Sequence, residues 1–145
     1  MARFLPGATT LRPFLHKLRG VKIHGKVFIG DDVYLENEYP ECVEIHDGAQ
    51  IVLRTNIMAH FRGTGKIIIG KNVWIGMGCA IAASPGQVLR IGEGAVIGMN
   101  STVTNDIPAY TFAVGSPAKA KKSVTIPMTL ETDFEEWKRG LKPLP

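Results

Sequence analysis

A spacing of six governs this chain. Stepping by six from Ile23 meets Ile29 and Leu35; from Ile45, Ile51 and Ile57; from Ile69, Ile75 and Ile81; from Ile91, Ile97 and Val103. Every one of these anchor positions carries a branched aliphatic residue. Four residues after the anchor, the first two hexads of each triplet carry a small or β-branched residue: Val27, Val33, Ala49, Thr55, Val73, Cys79, Ala95 and Ser101. The third hexad departs, with Tyr39, Phe61, Pro85 and Ile107, and extra residues fall only after it, at 41–44, 63–68 and 87–90. The repeat is therefore three hexads with a distinct third side.

Neither the alternation of an ordinary strand nor the 3.6-residue period of a helix yields a strict period of six. A triangular coil does. Each hexad is one short strand plus a corner, three make a turn, and successive turns stack as parallel strands with their anchors pointing inward. A single turn cannot bury its own faces, so several must stack. The spacing predicts about four turns over 21–118, in an all-β parallel β-helix. Gly30, Gly70, Gly76, Gly92 and Gly98 follow anchors, where a close approach of backbone is needed. The 16 glycines and the low aromatic content of 8% fit many tight corners around an aliphatic core.

The two ends read differently. Residues 1–20 form a cap, with a helix over 9–19 whose Leu11, Phe14, Leu15 and Leu18 share one face and which stops at Gly20. Its expected task is to plug the open end of the coil, with His16 on its solvated side. Residues 119–145 form an extension: an extended arm around Pro127, then a helix opened by a Thr132–Glu135 capping box and carrying Phe134, Trp137 and Leu141 as an apolar stripe, with Gly140 near its stop.

Several function classes drop out. The net charge is +4, and the Lys and Arg residues are scattered, which argues against a nucleic-acid partner. Cys42 and Cys79 form neither a disulfide framework nor a Cys-x-x-Cys pair. The N-terminal segment lacks the apolar core of a secretory signal, and no apolar run approaches the roughly 18 residues of a membrane span. A cytoplasmic location without stable membrane insertion is the expectation. No Walker or dinucleotide glycine motif is present. His24 and His46 each follow an anchor by one residue and so share a face, but no third ligand has matching phase, so no metal site and no metal requirement are expected.

Three segments carry a family resemblance. IGKNVWIGMGCAI at 69–81, IGEGAVIGMNSTVTNDIPAYTFAVGSPAKAKK at 91–122 with its Gly-x-Pro-Ala-Lys exit, and IMAHFR at 57–62 resemble the hexapeptide-repeat acyltransferases, in particular the galactoside, maltose and nodulation-factor sugar O-acetyltransferases. The resemblance covers roughly 21–122. It implies a left-handed winding, an acetyl-CoA donor, a homotrimer with the donor groove between neighbouring coils, and direct transfer in a ternary complex. Cys79, on an inward column, is expected to be core rather than nucleophile. Two departures bear on the acceptor: Phe61 follows the catalytic histidine of the family pattern, where an acidic or polar residue is usual, and the loop after it is short and glycine-rich.

The resemblance makes His60 the general base, and an imidazole titrating near neutrality suits that task. Glu38 lies in the same phase one turn below, and strands one turn apart are about 4.8 Å from each other, so it is the candidate carboxylate to orient His60. Asn37, Asn56, Phe61 and Arg62 are candidates for holding the acceptor. By the resemblance Trp74, Gly76, Met77, Gly98, Met99, Thr104 and Asn105 line the pantetheine path, a backbone N–H of the Gly76–Met77 turn stabilises the oxyanion, and Lys119 and Lys122 meet the adenosine phosphates. Trp74 has a second reading, as a seal over the core. The expected activity is acetyl transfer to a hydroxyl of a sugar, glycoconjugate or similar small acceptor. The alternatives are N-acyl transfer to an amino-sugar or amine, a carbonic-anhydrase-like metalloenzyme on the same fold, and a noncatalytic β-helix scaffold.

Overall fold

A computed structural model describes residues 3–145; the first two residues of the 1–20 segment lie outside the described residues. The six-residue columns become the three sides of a coil. The first side stacks β1 (Lys22–Ile23), β4 (Val43–Ile45), β7 (Lys66–Ile69) and β10 (Val88–Ile91). The second stacks β2 (Phe28–Ile29), β5 (Gln50–Ile51), β8 (Trp74–Ile75), β11 (Val96–Ile97) and β13 (Thr111–Val114). The third stacks β3 (Tyr34–Leu35), β6 (Asn56–Met58), β9 (Ala80–Ala82) and β12 (Thr102–Val103). All these pairings are parallel, and from β1 to β12 anchor meets anchor, as in Ile23 with Ile45, Ile51 with Ile75 and Ile57 with Ile81; Ala113 of β13 stacks on Ile97.

Every anchor is buried, and the small-residue column closes in behind it. Each fully buried isoleucine contributes about 1.5–3 kcal/mol in transfer free energy alone. The polar members of that column satisfy themselves inside. Thr55 donates its hydroxyl to the Gly76 carbonyl, and Ser101 donates to the Gly98 carbonyl while accepting from the Gly115 N–H. The insertions after the third side also add core, because Val43, Ile67 and Leu89 lie two residues before their anchors and point inward with them.

The N-terminal helix α1 (Leu11–Leu18) is shorter than the expected 9–19 and turned the other way. Phe14 and Leu18 face solvent, whereas Arg12, Pro13 and His16 are buried. Charge-assisted bonds to the first turn decide the orientation. The Arg12 guanidinium pairs with Asp31, and Arg19 donates to the Leu35 and Glu36 carbonyls. Such bonds are about twice as strong as neutral ones, and here they outweigh burial of the apolar stripe. His16 is accordingly interior rather than solvated, its Nδ1 accepting from Arg19.

The C-terminal extension lengthens the second side. β14 (Lys119–Val124) runs antiparallel to β13, and β15 (Leu141–Lys142) antiparallel to β14. α2 (Phe134–Arg139) folds back so that Trp137, Val124 and Met128 cover Val96, with Trp74, Phe112 and Leu141 packed around them. The helix is capped by Asp133, which accepts from the Glu135 and Glu136 N–H groups. The expected capping box is absent at this helix because Thr132 turns its hydroxyl to the Pro127 carbonyl instead.

Candidate functional site

His60 sits just past β6, where the third side of the second turn leaves the coil. The corner is tight: Phe61 donates its N–H to the Gly63 carbonyl, Gly65 donates to the Ala59 carbonyl, and Arg62 has a positive φ of 57°. The His60 side chain is about one quarter exposed, with Tyr39 packed edge-on at 5.4 Å between ring centroids.

The carboxylate that meets this ring is Glu36, not Glu38. Glu36 follows the anchor Leu35 directly, and the pairing of Leu35 with Ile57 places it beneath the corner at 58–60. Its Oε1 lies 2.7 Å from His60 Nδ1. Its Oε2 accepts from the N–H groups of Ala59 at 2.7 Å and His60 at 3.1 Å, and Oε1 also accepts from Glu38 at 3.2 Å and Tyr39 at 3.3 Å. Burial of the side chain pushes its pKa up, but the Ala59 N–H, the His60 side chain and the Tyr39 and Glu38 N–H groups outweigh burial and hold the carboxyl below the usual carboxylate range. An ionised Glu36 needs a donor at His60 Nδ1, so in the neutral ring the proton resides there and the lone pair falls on Nε2. Glu38 is largely exposed, with its Oε2 3.9 Å from His60 Nε2. It flanks the basic nitrogen rather than orienting the ring.

The sequence held a signal for Glu36 that phase matching passed over. Among residues that directly follow an anchor it alone is acidic.

The acceptor candidates scatter. Phe61 and Arg62 lie on the exposed loop next to His60. Asn56 is exposed at the start of β6, in register with Tyr34 and Ala80. Asn37 faces a different space, a cavity of about 390 Å³ between α1 and the first turn that it lines with Arg3, His16, Arg19 and Tyr34.

Of the donor-path candidates, Gly76, Met77, Gly98 and Met99 line the edge between the second and third sides. Gly76 and Gly98 are needed for stacking itself: a Cβ on Gly98 would lie 2.5 Å from Val114 Cγ2, and one on Gly76 would lie 2.9 Å from the Met99 nitrogen. The Gly76 N–H is committed to the Ile97 carbonyl, whereas the Met77 N–H has no acceptor among the described residues. Met77 and Met99 are exposed, and Met77 lines a cleft of about 160 Å³ with Leu53, Arg54, Gly78 and Asn100. Arg54 was not a sequence candidate; only its place in the second turn brings it there. Thr104 and Asn105 lie exposed past β12, and Lys119, Lys121 and Lys122 stand free on β14. Trp74 packs into the cluster beneath α2, as a seal. Cys79 is buried, its thiol donating to the Gly98 carbonyl, and burial pushes its pKa up, so it is no nucleophile.

His24 and His46 do share a face, and their third partner is Glu44, which phase counting missed because it precedes its anchor rather than following it. No helix among the described residues is long and apolar enough to cross a membrane.

No family model matches the chain. A Staphylococcus aureus (strain COL) protein carrying an acetyltransferase name is 42% identical over 76 residues, covering 52% of this chain and 36% of that protein. The chloramphenicol acetyltransferase of Klebsiella aerogenes is 41% identical over 81 residues, 53% of this chain and 37% of the relative. The chain thus spans little more than a third of the length of these curated relatives. Among solved structures, the polySia-specific acetyltransferase NeuO superposes with a TM-score of 0.62 at 25% identity, over 79% of this chain and 56% of that chain. The shared architecture is a left-handed parallel β-helix.

Proposed function

We propose that this chain, a left-handed β-helix of the hexapeptide-repeat acetyltransferase kind, transfers an acetyl group from acetyl-CoA to a hydroxyl of a sugar-like acceptor, with His60 as general base. The observation that carries this reading is the pair formed by His60 and the buried Glu36, which engages Nδ1 and leaves Nε2 as the ring nitrogen for the acceptor.

In this reading Nε2 takes the acceptor's hydroxyl proton as the oxygen attacks the thioester carbonyl. The Met77 N–H supports the oxyanion of the tetrahedral intermediate. When the intermediate collapses, the carbon–sulfur bond breaks and the departing thiolate takes the proton back from His60. The transient imidazolium lies between Glu36 at Nδ1 and Glu38 near Nε2, both of which stabilise its charge. No acyl-enzyme is needed: Cys79 is core, and burial pushes the pKa of the Cys42 thiol up.

Lys119 and Lys122 are the cations we assign to the phosphates of coenzyme A. Homotrimer assembly with the donor groove between coils is part of the proposal. Its support is the exposed apolar side chains of Met77 and Met99, one turn apart on one edge of the coil, and of Phe61 on another. The test is thiol release from acetyl-CoA against a panel of hydroxyl and amine acceptors. Release driven by sugar hydroxyls supports the reading, release with amines alone converts it to N-acyl transfer, and no release with no coenzyme A binding leaves a scaffold.

A further inference from the structure

The first side of the coil carries a second cluster of ligating side chains, sharing no residue with the His60 site. β1 and β4 both run outward–inward–outward, as Lys22–Ile23–His24 and Glu44–Ile45–His46. Alternation brings Glu44 and His46 to the same outer surface, and stacking sets His24 directly beneath His46. The two imidazole rings are stacked, with centroids 4.7 Å apart and planes 20° from parallel. Their Nε2 atoms converge on one oxygen: Glu44 Oε1 lies 3.0 Å from His24 Nε2 and 3.4 Å from His46 Nε2. The three ligating atoms all lie within 4.8 Å of one another.

We propose that His24, Glu44 and His46 form a binding site for a divalent transition-metal cation, Zn²⁺ being the best fit. Two imidazole nitrogens and one carboxylate oxygen are a borderline donor set, which selects zinc, nickel or copper over magnesium or calcium. A tetrahedral zinc with ligands at about 2.0–2.1 Å sets its donors roughly 3.3 Å apart, and the two observed separations bracket that value. The His24 side chain is 54% exposed, so water can reach the cluster as a fourth ligand. The other carboxylate oxygen, Oε2, has its own partner, the Lys66 ammonium at 4.0 Å. Oε1 is therefore the oxygen presented to the histidines.

A bound cation ties β1 to β4 and so pins the first turn to the second. Ligand that binds only the folded chain stabilises it by mass action.

The test titrates the full chain, stripped with EDTA, with zinc chloride in a calorimeter and follows thermal unfolding with and without zinc. The expected result is one zinc per chain and a rise in melting temperature of several degrees, about 4 °C or more in saturating zinc. His24→Ala, His46→Ala and Glu44→Gln each weaken binding at least about tenfold and lose the rise, as expected when one of three ligands goes. Their melting temperatures in EDTA stay near that of the parent, which separates lost ligation from lost folding. Magnesium chloride gives no effect, and His60→Ala binds zinc like the parent. The proposal is overturned if the parent takes up no zinc, if the His24→Ala/His46→Ala double variant binds it equally well, or if His60→Ala abolishes uptake, which would place the metal on the other histidine.

Discussion

Glu36, with no exposed side-chain surface, holds Nδ1 of His60 at 2.7 Å while its two oxygens collect four backbone N–H groups, two from its own corner and two from the corner of the next turn. One carboxylate thus shapes the loop, orients the ring and sets its tautomer. Glu36→Gln tests all three. An amide has one acceptor oxygen, so its NH₂ group must face N–H donors that the second carboxylate oxygen now satisfies. Unfolding free energy should drop by about 1–3 kcal/mol. The kcat for acetyl transfer should drop between about tenfold and 10⁴-fold, the upper end matching loss of the orienting carboxylate in a serine-protease triad. Chemical denaturation and steady-state kinetics on the same preparation separate the two effects.

Glu38→Gln should behave differently. Its carboxylate is two-thirds exposed and 3.9 Å from Nε2, so water screens most of its effect. Activity should change by less than about fivefold, consistent with an exposed ion pair of at most about 1 kcal/mol. A loss as large as that of Glu36→Gln would reverse the roles assigned to the two residues.

The interior histidine of α1 gives a pH dependence with a defined sign. Burial, then Arg19 and Arg12, lower the His16 pKa from 6.5 to about 4. Between these values the unfolded chain binds a proton that the folded chain does not, so acid favours unfolding. The stability is full above about pH 6.5 and is lost as the pH falls toward 4, by about 2–3 kcal/mol. In His16→Leu this part of the pH dependence disappears, which denaturant melts at a series of pH values will show.

The C-terminal extension should prove to be part of the folded unit. Trp137 is buried against Phe112 at 5.8 Å between ring centroids and closes the cluster over Val96. Trp137→Ala should cost about 3–5 kcal/mol in unfolding free energy. Limited proteolysis should then cut first within 125–133.

The coil was legible in the sequence because its signal is repetitive: every anchor from Ile23 to Val103 is aliphatic, and every one is buried. His60 was legible through the family resemblance of its segment. Its partner was not, because the expectation matched His60 with the residue in equal phase, Glu38, whereas the corner at 58–60 folds back over the residue next to the anchor. The helix α1 misled for a related reason. Its apolar stripe of Leu11, Phe14 and Leu18 is regular, but two arginines and the Asp31 carboxylate decided which side faces the coil. Glu44 escaped because side-chain alternation before an anchor places a residue on the same surface as the one after it. In each case the periodic part was readable, and what depended on a corner or an ion pair was not.

The most direct test of the account is the steady-state rate of acetyl transfer to the best acceptor, measured for the parent chain and for His60→Ala. His60→Ala should keep its fold and its coenzyme A binding yet lose at least about a hundredfold in kcat, as expected for removal of a general base. Equal rates in the two proteins would contradict the assignment of His60 as the base and with it the mechanism built on the Glu36 pair.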